Sequence, residues 1–200
     1  MSWIPLNTIL KGAFVELLPL EEKHFAALEL LARDKRIWEF IPADMSNTAK
    51  CMKSFQNAIL EREAGTQYPF VIVQQSSQKI IGSTRLMNIV PEHKKIEIGW
   101  TWLQPDYWAT AVNPECKLLL LTFCFEELKA IRVQLKTDEN NIRSRKAIMN
   151  IGAQYEGILR NDWIRENGTI RNSAYFSIID SEWNMAKKYL SMLLHHKLTP

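Results

Sequence analysis

The chain has 200 residues, of which 46% are hydrophobic and 24% charged, with a formal net charge of +3 at pH 7. It is too apolar to remain disordered and too weakly basic for a dedicated nucleic-acid binder. One domain spanning 1–200 accommodates the length, and no apolar run reaches the ~18 residues that a membrane span requires.

Residues 13–18, Ala-Phe-Val-Glu-Leu-Leu, predict a first strand. After Pro19, the apolar residues Phe25, Leu28, Leu31 and Ala32 recur at helical spacing. Pro42 interrupts that region. Asn47-Thr48 then caps a second helix running to about Glu63, with Gly65 as its stop. Phe70–Val73 is a strand, Gln75–Gln78 a turn, and Lys79–Ile89 a second strand containing Gly82. Pro91-Glu92-His93 turns the chain into a third strand. Strict alternation there puts Ile96, Ile98, Trp100 and Trp102 on one face, and Glu97, Gly99 and Thr101 on the other.

Pro114 suits a first helical position with Asn113 as its cap. The near-continuous apolar run Leu118–Phe125 predicts a helix covered on most sides. Ile131–Thr137 is a strand, and Asn141 begins a helix that Gly152 ends. Asn167-Gly168 reads as a two-residue turn between strands 158–166 and 169–179. That register sets Ile164 opposite Arg171, Asp162 opposite Ser173 and Arg160 opposite Tyr175. A closing helix runs from Glu182 to about His195.

The three cysteines, Cys51, Cys116 and Cys124, form no CxxC pair and are read as small buried hydrophobes. His24, His93, His195 and His196 lack metal-ligand spacing, so no metal is expected. The start, Met1-Ser2-Trp3-Ile4-Pro5, lacks the basic and apolar regions of a signal peptide, and a cytoplasmic location is expected. The chain contains no dinucleotide fingerprint, Walker lysine motif or serine elbow.

What remains for chemistry is a strand, 96–103, delivering a small-residue turn, Trp108-Ala109-Thr110-Ala111-Val112-Asn113, onto a helix N-terminus. Unpaired N–H groups and a partial positive charge make such a terminus an anion cradle. A plain strand-to-helix connection is the bland alternative. Asn141 and Ser144, three apart, share a helix face. As plain structure they are a helix cap and a surface hydroxyl. Glu97, read the same way, is a half-exposed strand residue paired with Lys95 or Arg132.

The stretch Lys95–Arg160 resembles the acyl-CoA-binding core of the GNAT N-acetyltransferases, especially the subgroup of ribosomal-protein acetyltransferases. The resemblance rests on Ile96–Leu103, Tyr107–Glu115, the helix start Lys136–Ile148, Ile151-Gly152-Ala153, Glu156–Arg160 and Glu182-Trp183, and covers roughly 12–185. It implies an α/β fold (α+β in stricter schemes): a mixed, mostly antiparallel sheet of about seven strands with helices on both faces. Strands 96–103 and 131–137 are implied to run parallel and splay apart.

The resemblance further implies acetyl-CoA as co-substrate and a primary amine as acceptor, a protein N-terminus or a small molecule. A homodimer is left open. Trp102 and Leu103 would pair with pantetheine, and Ala109, Thr110, Ala111, Val112 and Asn113 would cradle the pyrophosphate. Asn141 would contact the pantetheine or the helix backbone, Arg143, Arg145 and Lys146 would meet the 3′-phosphate of CoA, and Ser144 would protonate the leaving thiolate, directly or through water. Glu97 would be the general base, with Asp162 the next carboxylate. The family usually carries glycine where Ala109 and Ala111 stand, Ala111 at the core position, and alanine resists a positive φ. That departure motivates a second reading, an acyl-CoA-binding protein without turnover.

Overall fold

Eight strands make one sheet in the order β1-β2-β3-β4-β5-β6-β8-β7, in a computed structural model that describes residues 3–196. They are β1 (Leu10–Lys11), β2 (Val15–Pro19), β3 (Tyr68–Gln74), β4 (Ile80–Val90), β5 (Lys95–Leu103), β6 (Arg132–Asp138), β7 (Gln154–Ile164) and β8 (Ile170–Ile179). β5 and β6 pair in parallel, and the other neighbours are antiparallel. This is the mixed sheet expected from sequence, plus one strand. The two-residue β1 is too short to leave a pattern.

Two helical layers sandwich the sheet. α1 (Phe25–Ala32) and α2 (Thr48–Glu63) cover one face, where Leu28, Cys51 and Phe55 pack with Val71 and Val73. The Asn47 side chain caps α2 by accepting the Lys50 N–H at 3.1 Å. α3 (Val112–Thr122), α4 (Ile142–Met149) and α5 (Asp180–His196) supply the other layer. There Cys116, Leu120, Ile148 and Leu190 pack with Phe70, Ile96 and Phe176. β3 lies between the layers, which explains its unbroken buried run from Tyr68 to Val73.

The N-terminus of α3 departs from expectation. The helix begins at Val112 with Ala111 as its cap, so Asn113 and Pro114 are its second and third residues. Proline fits there because first-turn N–H groups have no intrahelical partner anyway. Glu115 is buried in the same turn, and its carboxylate accepts the N–H groups of Ala13, Phe14 and Val15, each at 2.8 Å. This tie between α3 and the β1–β2 turn has no signature in the sequence.

Strict alternation fails in β5. Opposite β4, Ser83 pairs with Trp102 but Arg85 pairs with Gly99, so β5 holds one extra residue in between. Trp100 has a φ of 48° at that point. The bulge inverts every side chain after it. Trp102 joins the α1–α2 layer, and Thr101 turns to the α3 side, where its Oγ1 accepts from Lys117 Nζ. Trp102 therefore shares the Glu97 face, and Thr101 shares the Ile96 and Ile98 face, contrary to the simple alternation. Gly82 is needed beside the bulge, because a Cβ there would lie 2.2 Å from the Trp102 carbonyl oxygen.

The β7–β8 register also differs. Arg165 N–H bonds to Thr169 O, and Gly168, at φ 79°, closes a three-residue loop in place of the two-residue turn. Trp163, not Ile164, stands opposite Arg171. A further irregularity around Asn161, at φ 54°, pairs Leu159 with Ser173 and Gly157 with Tyr175. Asp162 is thus not opposite Ser173, nor Arg160 opposite Tyr175.

Candidate active site

β5 and β6 pair only at Lys95–Arg132, Ile96–Val133 and Glu97–Gln134. Both strands continue beyond that point, to Leu103 and Asp138, without pairing with each other. The wedge opens into a cavity of about 280 Å³ that runs through the sheet, from the α1–α2 loop to the start of α4. Of the residues singled out in the sequence, Glu97, Trp102, Leu103, Ala109, Asn113, Asn141 and Ser144 line it. Thr110, Ala111, Val112, Arg145 and Asp162 do not line it.

Glu97 is buried at 1% exposure, not half-exposed. Its Oε2 accepts from Asn88 Nδ2 at 2.9 Å and Gln134 Nε2 at 2.8 Å. Lys136 Nζ stands 3.8 Å from Oε1. Lys95 and Arg132 are not its partners, and Arg132 pairs with Glu156. One carboxylate oxygen is thus held by two amides, while the other faces the bulge, 3.3 Å from a Cβ built on Gly99. Glu97 lines the cavity, and a carboxylate fixed there is placed to exchange a proton with a group bound in it.

At the other end of the wedge, Ala109 has a φ of 61°, whereas Ala111 has an ordinary φ of −70°. The strain of alanine in place of glycine therefore falls on Ala109. The cradle is also partly self-satisfied. Thr110 Oγ1 accepts the Val112 N–H at 3.3 Å and donates to Tyr107 O at 2.8 Å. Pro114 contributes no N–H to the first turn. Trp108 Nε1 donates to Leu103 O at 3.0 Å, and the Arg143 guanidinium lies 3.8 Å from the Trp108 ring centroid. That stack brings a cation to the cavity wall.

Asn141 caps α4, accepting the Ser144 N–H at 2.9 Å. The cap fixes the first turn and points Ser144 at the wedge. Arg145 is turned away, donating to Glu139 O at 3.1 Å and lying over Tyr155. Arg143 is therefore the basic residue of this turn that borders the cavity.

Three further cations, Lys117, Lys136 and Arg171, stand on the wall. Lys117 Nζ donates to Thr101 Oγ1 at 2.7 Å. Burial lowers its ammonium pKa from 10.5 to about 8. Lys136 stands between Glu97 and the rings of Trp163 and Tyr175. Arg171 is 6% exposed, and burial lowers its pKa. Lys117 lay inside an apolar helix and Arg171 in a hairpin of misread register, so neither carried a local signal. All three cysteines are free, and burial raises Cys51 to about 11 and Cys116 to about 12. Protonated at neutral pH, those two thiols are not nucleophiles.

Residues 15–154 match the model of the acetyltransferase (GNAT) domain. The chain belongs to the GNAT acetyltransferase family. Among sequence relatives, an uncharacterized N-acetyltransferase of Bacillus subtilis, YnaD, is 24% identical, covering 82% of this chain and 92% of its own length. A GCN5-related N-acetyltransferase from Brucella melitensis superposes with a TM-score of 0.86 at 26% identity, covering 95% of this chain and 86% of that one. Mycobacterium smegmatis RimJ, solved in complex with CoA-disulfide, shares the fold with a TM-score of 0.78 at 19% identity, covering 93% of each chain.

GNAT acetyltransferases use acetyl-CoA and an amine acceptor, and the wedge in this chain fits the donor. Beyond Glu97 the β5 edge has no β6 residue to pair with, which leaves backbone groups for the amides of an extended arm. α3 begins at the far side of the same cavity with a cation on either wall, Lys117 and Arg143.

Proposed function

We propose that this protein moves an acetyl group from acetyl-CoA to a primary amine by direct attack, with no acyl-enzyme step. The observation that carries the reading is that Glu97, on one side of the wedge, and Ser144, on the other, line one cavity. Acetyl-CoA supplies an activated thioester. Glu97 takes the amine proton, directly or through water, while Asn88 and Gln134 hold the carboxylate in place. N–H groups on the open β5 edge stabilise negative charge on the carbonyl oxygen.

Ser144, positioned by Asn141, relays a proton to the departing thiolate, its hydroxyl taking one back from solvent water as it gives its own. The Asn113 N–H and Arg143 hold phosphate oxygens, and the backbone at Trp102 and Leu103 aligns the pantetheine arm. Fixing donor and amine in one cavity supplies much of the acceleration. The acceptor is a protein N-terminus or a small amine. Among the described residues no helix is long and apolar enough to cross a membrane, and the free cysteines suit a reducing cytoplasm.

Strained Ala109 and the missing N–H of Pro114 favour, as a second reading, acyl-CoA binding without turnover. One experiment separates the two: calorimetry with acetyl-CoA, then free-thiol release against an amine panel. Binding with thiol release is the expected outcome. Binding without release supports the second reading, and the absence of both refutes each.

A further inference from the structure

Arg171 is a buried cation on the cavity wall whose polar atoms are incompletely paired. It is 6% exposed, and its Nε has no hydrogen-bond partner. Its nearest carboxylate oxygen, Asp138 Oδ2, stands at 3.8 Å. Asp138 does not depend on it, since that carboxylate already accepts from Arg165 Nη2 and from the Asn140 N–H. Ser173, two residues along the same strand and on the same face, also has a buried hydroxyl without a partner. Asp162 is within electrostatic reach of Arg171 and has one unpartnered oxygen, but it does not line the cavity. Of these groups only Arg171 lines the cavity; a buried cation left open on a cavity wall is what a bound oxyanion fills, and a guanidinium offers a planar fork matched to carboxylate or phosphate.

Position assigns this site to the acceptor. Along β8, Ser177 pairs with Gln134 and Tyr175 with Lys136. Gln134 and Lys136 are the residues that meet Glu97, so Arg171 shares the Glu97 face of the sheet. It lies six residues from Ser177, roughly 20 Å of strand at ~3.3 Å per residue. Long side chains shorten that gap without closing it. Between the two ends the wall carries Lys136 together with the apolar side chains of Trp163 on the hairpin and Ile37, Phe40 and Ile41 from the α1–α2 loop. The hairpin tip is tied to α2 by Lys50 and Glu166, 2.7 Å apart.

We propose that the acceptor is a primary amine carrying an oxyanion several bonds from its nitrogen, and that Arg171 holds that oxyanion. This rests on the acetyl-transfer reading above. An α-amino carboxylate is too short to reach both ends, whereas an amine with a longer, flexible spacer spans them.

The test uses amine pairs matched in length, with and without a terminal oxyanion: hexylamine against 6-aminohexanoate, and glucosamine against glucosamine 6-phosphate. Thiol release is followed at saturating acetyl-CoA. The oxyanion-bearing member should show a kcat/KM roughly ten- to a hundredfold higher, mostly through KM, as expected for a charged hydrogen bond. Whichever pair shows the gain identifies carboxylate or phosphate as the source. Arg171→Gln should bring the ratio toward one. Arg171→Lys keeps the charge without the fork, should retain part of the ratio, and serves if the glutamine variant does not fold.

Hexanoate and inorganic phosphate, which carry no amine, provide a readout independent of turnover. At least one should raise the Tm of the wild type and not of the variant. Turnover with equal kcat/KM inside every pair overturns the inference and leaves acetyl transfer standing. If no amine is acetylated, that reading fails instead. The Tm shifts then decide the oxyanion site, and the absence of any Arg171-dependent shift overturns it.

Discussion

Replacing Lys117 by Met should stabilise the protein, by an amount that depends on pH. The Lys117 ammonium is buried, donates to Thr101 Oγ1 at 2.7 Å, and is in no salt bridge among the described residues. Desolvation lowers its pKa from 10.5 to about 8. Below about pH 8 both folded and unfolded chains carry the charge, and the fold bears the full desolvation cost. Between about pH 8 and 10.5 the folded lysine is the first to lose its proton. The unfolded state then binds more protons, so stability rises with pH through that window. Above it the cost is gone.

At ~1.4 kcal/mol per pH unit, the interval from about 8 to 10.5 corresponds to roughly 3 kcal/mol at neutral pH. Losing the hydrogen bond to Thr101 takes back about 1 kcal/mol. The variant should therefore be more stable by about 2 kcal/mol at pH 7, raising Tm by roughly 4–8 °C for a chain of this size. Its advantage should disappear by about pH 10.5. The assay is thermal or urea unfolding of both proteins in steps from pH 6 to 10.5. A difference independent of pH, or a wild type more stable at pH 7, would refute a charged, desolvated lysine. A costly cation retained on the cavity wall fits a donor-binding role, so the variant should also lose part of the Tm rise that acetyl-CoA produces.

Ala109→Gly should relieve a left-handed alanine worth about 1 kcal/mol and tighten acetyl-CoA binding by calorimetry, whereas Ala111→Gly, at φ −70°, should bring no gain. Ser144→Ala should lower kcat while leaving the acetyl-CoA Kd close to wild type, because a proton donor to the leaving thiolate acts in the transition state; unchanged kcat with chemistry rate-limiting would leave Ser144 to helix structure. Glu97→Gln should slow turnover most at low pH, where the amine arrives protonated, and the gap should narrow toward the amine's own pKa; parallel pH profiles would remove Glu97 from the mechanism. Glu115→Ala leaves three backbone N–H groups without their acceptor and should cost at least ~3 kcal/mol in urea unfolding; a loss under about 1 kcal/mol would contradict the burial of that carboxylate.

Much of the architecture was legible in the sequence because it rests on short-range chemistry. The Asn47 and Asn141 caps, the Gly65 and Gly152 stops and the apolar run of β3 each draw on residues within a turn or two. The strand–loop–helix unit was visible for the same reason: β5, its loop and α3 are contiguous. Glu97 and Ser144 could each be singled out by residue type and element, and both line the cavity.

Tertiary structure decided what depends on counting residues across strands. One extra residue at Trp100 turned Trp102 onto the Glu97 face and Thr101 toward Lys117. One more in the β7–β8 loop put Trp163, not Ile164, opposite Arg171. The side-chain period of a strand is two, so a single insertion inverts every residue beyond it, and hydrophobic pattern registers that only after the fact. Long-range partners were equally hidden. The amides holding Glu97 come from β4 and β6, the N–H groups holding Glu115 lie about a hundred positions away, and Arg171 stands over the cavity with its Nε unsatisfied. A side chain that meets its partners only after the sheet has closed leaves no periodic trace in the chain that encodes it.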